Sequence, residues 1–273
     1  MTKVTVGIPV YNADKTIEKT ILSLVKIPDI RIHISDNNSN DLTSEICNRY
    51  AARYSNIKYT KHKKNLGGKF NFEYALKKAK TDYFMWLGGD DYLSNINLSE
   101  ASKLFNDKNT VAISFNSYFY YPRVFVRDKG NRSLTGNKFK RLLLLFLFPG
   151  ANSRFYSLFR RKELLKLLSN ENYWGSDMAF SARVAMKGNW AFWEKGRLIR
   201  HPGPSSNPII CRRNGGVKGI FIFFPIPIFF KDVFKASGFL LGLLISPVLL
   251  IYYFRLLVSP IKAALVSMLK KLN

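Results

Sequence analysis

Apolar residues stand at every second position near the start of the chain, at Val4, Val6 and Ile8. After Tyr11-Asn12 they recur at helical spacing, at Ile17, Ile21, Leu24 and Val25. The first pattern predicts a strand and the second an amphipathic helix, with Asp14 placed to cap it. Ile30, Ile32 and Ile34 predict a second strand. It ends in the turn-rich cluster Ser35-Asp36-Asn37-Asn38-Ser39-Asn40-Asp41, and Leu42, Ile46 and Tyr50 give the next helix face. Ile57 and Tyr59 predict a short strand, Asn65-Leu66-Gly67-Gly68 a loop, and Phe72, Ala75, Leu76 and Ala79 a third helix. Tyr83-Phe84-Met85-Trp86-Leu87 is continuously apolar, as a strand buried on both faces is, and it stops at Gly88-Gly89-Asp90-Asp91. Strands and helices alternating in this order predict an α/β fold with a mainly parallel central sheet.

In such sheets ligands bind beyond the carboxyl ends of the strands. Tyr11-Asn12, Asp36-Asn37-Asn38 and Asp90-Asp91 each follow a predicted strand, so three polar groups are expected at one edge. Asn, Asp and Gly also simply build turns, which is the plainer reading of any one cluster. Asp90-Asp91 is the sharpest. Adjacent carboxylates at the end of a buried strand repel each other and resist desolvation unless a cation is present. Hard divalent cations favour oxygen ligands together with substrate phosphates. A metal-bridged diphosphate is the reading this supports, with a solvated turn or helix cap as the alternative.

Four segments now stand in order: Val6-Gly7-Ile8-Pro9-Val10-Tyr11-Asn12, Ser35 to Asp41, Asn65-Leu66-Gly67, and Leu87-Gly88-Gly89-Asp90-Asp91-Tyr92-Leu93. In this combination and spacing the chain resembles the family 2 glycosyltransferases, with their Rossmann-like type A nucleotide-sugar fold, over roughly residues 1–205. The resemblance implies a bacterial enzyme that moves a sugar from a nucleotide diphosphate donor to an acceptor hydroxyl with inversion. By similarity, Pro9, Tyr11 and Asn12 line the base and ribose, Asp36 and Asn38 hold the uracil or ribose edge, and Asn65 and Gly67 approach the nucleotide. The last aspartate of the family's Asp-x-Asp signature maps onto Asp90, which implies Mg2+ or Mn2+. Its first maps onto Gly88, a departure that removes one carboxylate, and Asp91 follows as a contact near the metal or donor sugar.

The family's general base comes later, in a Glu-Asp pair opening a helix. Here Ser176-Asp177 precedes Ala182, Ala185 and Met186 at helical spacing, so Asp177 is the matching carboxylate and Ser176 replaces the Glu. A base is needed to accept the proton of the attacking hydroxyl, although a carboxylate at a helix start also serves as a cap. Trp190 to Glu194 is expected to be the following strand. Leu198 to Gly203 resembles a segment that brings a His or Arg near the diphosphate, so His201 is a candidate for the metal shell or a phosphate contact. Ser205 to Asn207 and Arg212 to Gly216 resemble a loop able to close over phosphates, or plain surface loops.

Composition narrows the partners. The 273 residues carry 43 Lys+Arg against 18 Asp+Glu, a net charge of +25, yet 47% are hydrophobic and 15% aromatic, which excludes a disordered basic tail protein. Cys47 and Cys211 have no metal or disulfide spacing, in keeping with a reducing compartment. Pro9 breaks the first apolar run too early for a signal peptide, so the catalytic part is expected in the cytoplasm. From Gly215 the chain turns apolar, and Ala236 to Phe254 holds 19 residues without a charge. That approaches the about 20 needed to span a bilayer. Pro247, the internal glycines, Tyr252-Tyr253 and flanking lysines favour a tail inserted in the interface over a full crossing. Arg123, Arg127, Lys129, Arg132, Lys138, Lys140 and Arg141 precede the apolar run Leu142 to Phe148 and suit an anionic leaflet or a lipid diphosphate, or else a solvated loop before a buried helix.

The domain plan expected is a catalytic domain over 1–214, with a nucleotide-binding half 1–95 and an acceptor-side half 96–214, and a membrane-associating tail over 215–273. The function expected is metal-dependent inverting transfer from a nucleotide sugar, with UDP as the default by resemblance. The acceptor is a polyprenyl-diphosphate-linked glycan for surface polysaccharide, at the cytoplasmic face of the bacterial inner membrane. A sugar nucleotidyltransferase is the nearest rival, but Pro9-Val10-Tyr11-Asn12 stands where its phosphate loop belongs. A nucleic-acid-binding protein would explain the charge, but it leaves the loop carboxylates and the apolar tail without a purpose, and no nucleic-acid partner is expected.

Overall fold

The computed structural model describes residues 4–121, 124–168, 176–202 and 226–272. Its first half follows the hydrophobic pattern: β1 (Val4–Val10), α1 (Ile17–Leu24), β2 (Ile30–Asp36), α2 (Thr43–Arg53), β3 (Ile57–Lys61), α3 (Gly68–Lys78) and β4 (Tyr83–Trp86). These strands lie in the order β3-β2-β1-β4 and all run parallel, Val6 pairing with Ile32 on one side and Met85 on the other. The chain leaves β1 toward β2 and β3 and returns to its other side at β4, which opens a crevice at the carboxyl edge. Gly7 lets α3 close on β1: a Cβ there would stand 2.6 Å from the Phe84 ring and 3.0 Å from the Ala75 methyl.

The second half corrects the expectation of a mainly parallel sheet. It comprises β5 (Tyr92–Ser94), α4 (Leu98–Ala101), β6 (Thr110–Tyr121), β7 (Val124–Arg127), α5 (Lys138–Leu147), β8 (Leu158–Arg160), α6 (Arg161–Lys166), α7 (Ser176–Lys187) and β9 (Asn189–Arg200). The sheet continues past β4 as β8-β6-β9-β5, with β7 paired to β6. Of these neighbours only β6 and β9 run parallel. The result is a mixed α/β sheet. The expected helix at Asp177 and strand at Trp190 are α7 and β9.

Strand β4 shows why its sequence is apolar without alternation. Phe84 and Trp86 join a core formed with α3, α5 and α7, while Met85 and Leu87 join the opposite core under α1 and α2. Two further helices, α8 (Ile226–Ser237) and α9 (Phe239–Leu272), close the first of these cores. Phe229 and Val233 of α8 and Ile245, Leu249 and Tyr252 of α9 are buried with Leu142 and Phe146 of α5. Arg183 of α7 clamps Asp232 of α8 with two 2.8 Å bonds to its carboxylate.

The other face of α9 exposes Phe239, Leu240, Leu243, Leu244, Leu250, Ile251 and Phe254. Among the described residues no helix is long and apolar enough to cross a membrane, so a full crossing by residues 236–254 is not supported. The loop expectations for Ser205 to Asn207 and Arg212 to Gly216 lie outside the described residues, as do Arg123 and Cys211.

Candidate active site

The loops at the carboxyl edge are tied together by side chains. Asn12, in left-handed conformation with φ 49°, donates its N–H to Ser39 Oγ at 2.9 Å and accepts from Asn40 N–H at 3.0 Å. Asp36 is buried. Its carboxylate accepts from Ser39 N–H and Oγ–H, Ser44 Oγ–H and the Tyr59 hydroxyl at 2.6 to 2.9 Å. Those four donors use up its acceptor capacity, so Asp36 braces the loop from beneath. Its neighbour Asn37, placed by the sequence in the polar cluster without a role of its own, bridges to the next loop by donating to Asn65 Oδ1 at 2.7 Å and accepting from Leu66 N–H at 2.9 Å. Asn65 also accepts from Gly67 N–H, and Gly67 turns into α3 at φ 85°, a conformation that favours glycine. Asn38 supplies a second left-handed turn at φ 67°. Tyr11 is 48% exposed beside these loops, whereas Pro9 is buried within β1, in register with Ser35.

The turn after β4 is clamped onto α1, where Thr20 donates its hydroxyl to the carbonyls of Gly89 and Asp91 at 3.1 and 2.7 Å. Asp91 is only 3% exposed. Burial, and after it the charge of Asp90, push its carboxyl up to about 7, opposed by Arg200 and by the His201 N–H. That N–H donates to Asp91 Oδ1 at 2.9 Å, and Arg200 Nε stands 3.9 Å from Oδ2. Gly88 has a steric reason to depart from the Asp-x-Asp pattern. A Cβ there would lie 2.7 Å from Asp90 Oδ1 and 3.0 Å from Asp91 Oδ2, in space that these two carboxylates occupy.

Among the described residues no group of three acidic, His or Cys side chains converges so as to hold a metal ion. It is the backbone of His201 that reaches Asp91. Its ring packs beside Tyr92 and Tyr120, with Nδ1 buried and without a hydrogen-bond partner among the described residues. The carboxylate pair, with its nearest cation among the described residues held off at 3.9 Å, fits a hard cation that completes its shell with oxygens of a bound ligand.

Asp177 lies in the first turn of α7, with Ser176 beside it. Both line a cavity of about 440 Å³ whose wall also includes Trp86, Tyr156, Phe180 and Arg200. Arg200 connects the two ends of the site. Its guanidinium packs against the rings of Tyr156 and Phe119, with centroid distances of 4.6 and 4.9 Å, while it approaches Asp91. Burial pushes the Tyr156 hydroxyl far up; Arg200 draws it down, and the charges of Asp91, Asp90 and Asp177 add to the rise. Tyr156 therefore lies within electrostatic reach of both the carboxylate pair and Asp177.

The glycosyl transferase family 2 model matches residues 5–168, a stretch that includes every loop described up to Tyr156. The chain belongs to this family. It is therefore an enzyme that transfers sugars, and the nucleotidyltransferase and nucleic-acid readings fall away.

This glycosyltransferase is 26% identical over 182 residues to an uncharacterized glycosyltransferase of Haemophilus influenzae, covering 66% of this chain and 70% of that protein. It is 27% identical over 200 residues to the cholesterol galactosyltransferase of Borreliella burgdorferi, covering 68% of this chain and 56% of that protein. Among solved structures, S. aureus TarS 1–349 in complex with UDP-GlcNAc has a TM-score of 0.60 at 17% identity, covering 85% of this chain and 66% of that one. The mannosyltransferase PcManGT from Pyrobaculum calidifontis, in complex with GDP-Man and Mn2+, has a TM-score of 0.58 at 15% identity, covering 98% and 87%. These likenesses establish the type A fold of the glycosyltransferase.

The pH dependence of stability follows from Asp91. Folded, it keeps its proton up to about pH 7; unfolded, it loses it near the ordinary value of 3.8. Between those values the folded state binds more protons, so this group lowers stability as pH rises. Without divalent cations, Asp91→Asn should therefore gain melting temperature over the native protein between about pH 4 and about pH 7. A difference that stays constant over that window would contradict the assignment.

Proposed function

We propose that this glycosyltransferase is an inverting, divalent-cation-dependent enzyme. It would transfer a sugar from a nucleotide diphosphate sugar, with UDP as the nucleotide, to a polyprenyl-diphosphate-linked glycan in surface polysaccharide synthesis. The observation that carries this is the position of Arg200, which lines the cavity holding Asp177 and lies 3.9 Å from Asp91. A donor whose diphosphate meets Asp90 thus has its sugar directed toward a carboxylate at the other end of the site.

Tyr11, Asn12 and the braced loop of Asn37, Asn38, Asn65 and Gly67 receive the nucleoside. Asp177 takes the proton of the acceptor hydroxyl as its oxygen bonds to the anomeric carbon and the bond to the nucleotide diphosphate breaks on the opposite face. Asp90, with donor oxygens, would hold Mg2+ or Mn2+, which supplies charge neutralisation for the departing diphosphate. Structural relatives crystallised with UDP-GlcNAc and with GDP-Man and Mn2+ support the donor class and the cation.

The lipid-linked acceptor is supported by α9. Its exposed apolar face, in a chain of net charge +25, suits the interface of an anionic leaflet, here the cytoplasmic face of the inner membrane. Burial raises the Tyr252 hydroxyl and the charge of Asp177 adds to it, so α9 runs within electrostatic reach of the base. The Borreliella relative is named for transfer to cholesterol, an acceptor that lives in membranes.

Asp177→Asn should lower transfer by at least about 100-fold, the lower end of what a positioned acid or base contributes, and Asp90→Asn should lower it severely through loss of the cation, neither variant losing melting temperature. Near-native transfer by both variants would overturn the site assignment. The full chain should float with vesicles containing phosphatidylglycerol and not with pure phosphatidylcholine. Replacing the exposed Leu243 and Leu244 together by Ser should abolish flotation without unfolding; flotation unchanged by the double substitution would contradict the role of α9.

A further inference from the structure

The loop 149–153 between α5 and β8 is held from beneath and from the side. Asp128, 6% exposed, accepts from the N–H groups of Gly130, Ala151 and Ser153 at 3.0, 3.2 and 3.3 Å and from Ser153 Oγ–H at 2.6 Å. Arg200 donates to the Ala151 carbonyl at 3.2 Å and to Ser153 Oγ at 3.0 Å. Gly150, at φ 57°, is required for this closeness, because a Cβ there would stand 2.0 Å from Asp128 Oδ1.

From this fixed loop projects Asn152, 6% exposed and itself left-handed at φ 52°. Its amide has a defined orientation. Oδ1 accepts from Ser181 Oγ–H at 2.9 Å, and Nδ2–H donates to Asp177 Oδ2 at 2.9 Å. Ser181 stands one turn along α7 from Asp177, with its hydroxyl 3.1 Å from the Asp177 carbonyl. Among the described residues no donor occupies Asp177 Oδ1. A buried amide in a left-handed conformation, fixed at both ends, thus binds one oxygen of an exposed carboxylate that would otherwise sample several rotamers.

We propose that Asn152 is a positioning residue for the acceptor-activating base. It holds the Asp177 carboxylate in one rotamer through Oδ2 and leaves Oδ1 to the acceptor hydroxyl. This inference rests on the reading of Asp177 as the base. Because the same loop is bonded to Arg200, Asn152 also sets the base at a fixed distance from the diphosphate end. A neutral donor suits the task, since it orients the carboxylate without adding a charge that would compete for the donor phosphates.

The charged groups facing Asp177 are Lys69 and Glu73 of α3, Arg183 of its own helix and Arg200 of β9, all lining the same cavity. Tyr156 and Tyr252 also lie within its electrostatic reach. None is altered in the test that follows, so a change in the Asp177 rotamer reports on Asn152.

The test follows the carboxyl carbon of Asp177 by NMR in the full chain labelled with 13C-aspartate, the resonance being identified by its loss in Asp177→Asn. Its three-bond coupling to the backbone carbonyl reports χ1, and it should read a single rotamer in the native chain and an average over several in Asn152→Ala. In Asn152→Asp, nearly isosteric and so expected to fold, a carboxylate that donates no N–H should release the rotamer as well. A native, single-rotamer coupling in both folded variants would overturn the positioning role. Failure of the base reading shows separately, as UDP release by Asp177→Asn at the native rate, with UDP-sugars and manganese as probes.

Discussion

Asp90 and Asp91 stand side by side at the carboxyl end of a strand buried on both faces, and Asp91 is nearly out of reach of water. Two ionised carboxylates so placed repel each other and lose solvation, and Arg200 is too far away to form a hydrogen-bonded pair. Asp91 answers by holding its proton to about pH 7, and the cation proposed to join the pair to a donor diphosphate would answer the same problem. Gly88 makes room for the pair, Thr20 clamps its backbone, and Arg200 carries its influence to Tyr156 and the loop below Asp177. The electrostatic cost of this turn is what couples the two ends of the site.

Much of this was legible in the chain because its signals are local. Alternation at Val4, Val6 and Ile8 and helical spacing from Ile17 to Leu24 report directly on which side of a parallel sheet each residue lies. The second half was less legible: β8 and β6 insert between β4 and β9 through pairings distant in sequence, and no period announces such partners. The division of labour within a loop was also less legible. Asp36 stood out by resemblance as a nucleotide contact, and its carboxylate accepts from four protein donors, while the uncharged Asn37 beside it links the loop after β2 to the loop before α3. Asn152 was silent as a candidate, and Arg200 was read only as part of a segment in which His201 was preferred, because their contacts lie some 25 and 47 residues away.

The apolar run near the C-terminus shows how one helix can satisfy two demands. Ile245, Leu249 and Tyr252 of α9 complete the catalytic core, while Leu243, Leu244, Leu250 and Ile251 on its other face stay exposed. The uninterrupted apolar sequence therefore serves the protein core on one side, and on the other leaves the apolar face for which the membrane contact is proposed. Asp177 sits within electrostatic reach of that helix, so the proposed membrane contact and the proposed base would share one packing arrangement.

The most direct test is a crystal structure of the full chain soaked with a UDP-sugar and manganese, with anomalous scattering recorded at the manganese edge. The predicted result is a single strong peak bonded to Asp90 and to the donor diphosphate, with the anomeric carbon facing Asp177 across the cavity. A donor bound with its diphosphate away from Asp90, or a peak elsewhere with none at this turn, would contradict the reading of the carboxylate pair as the centre of the site.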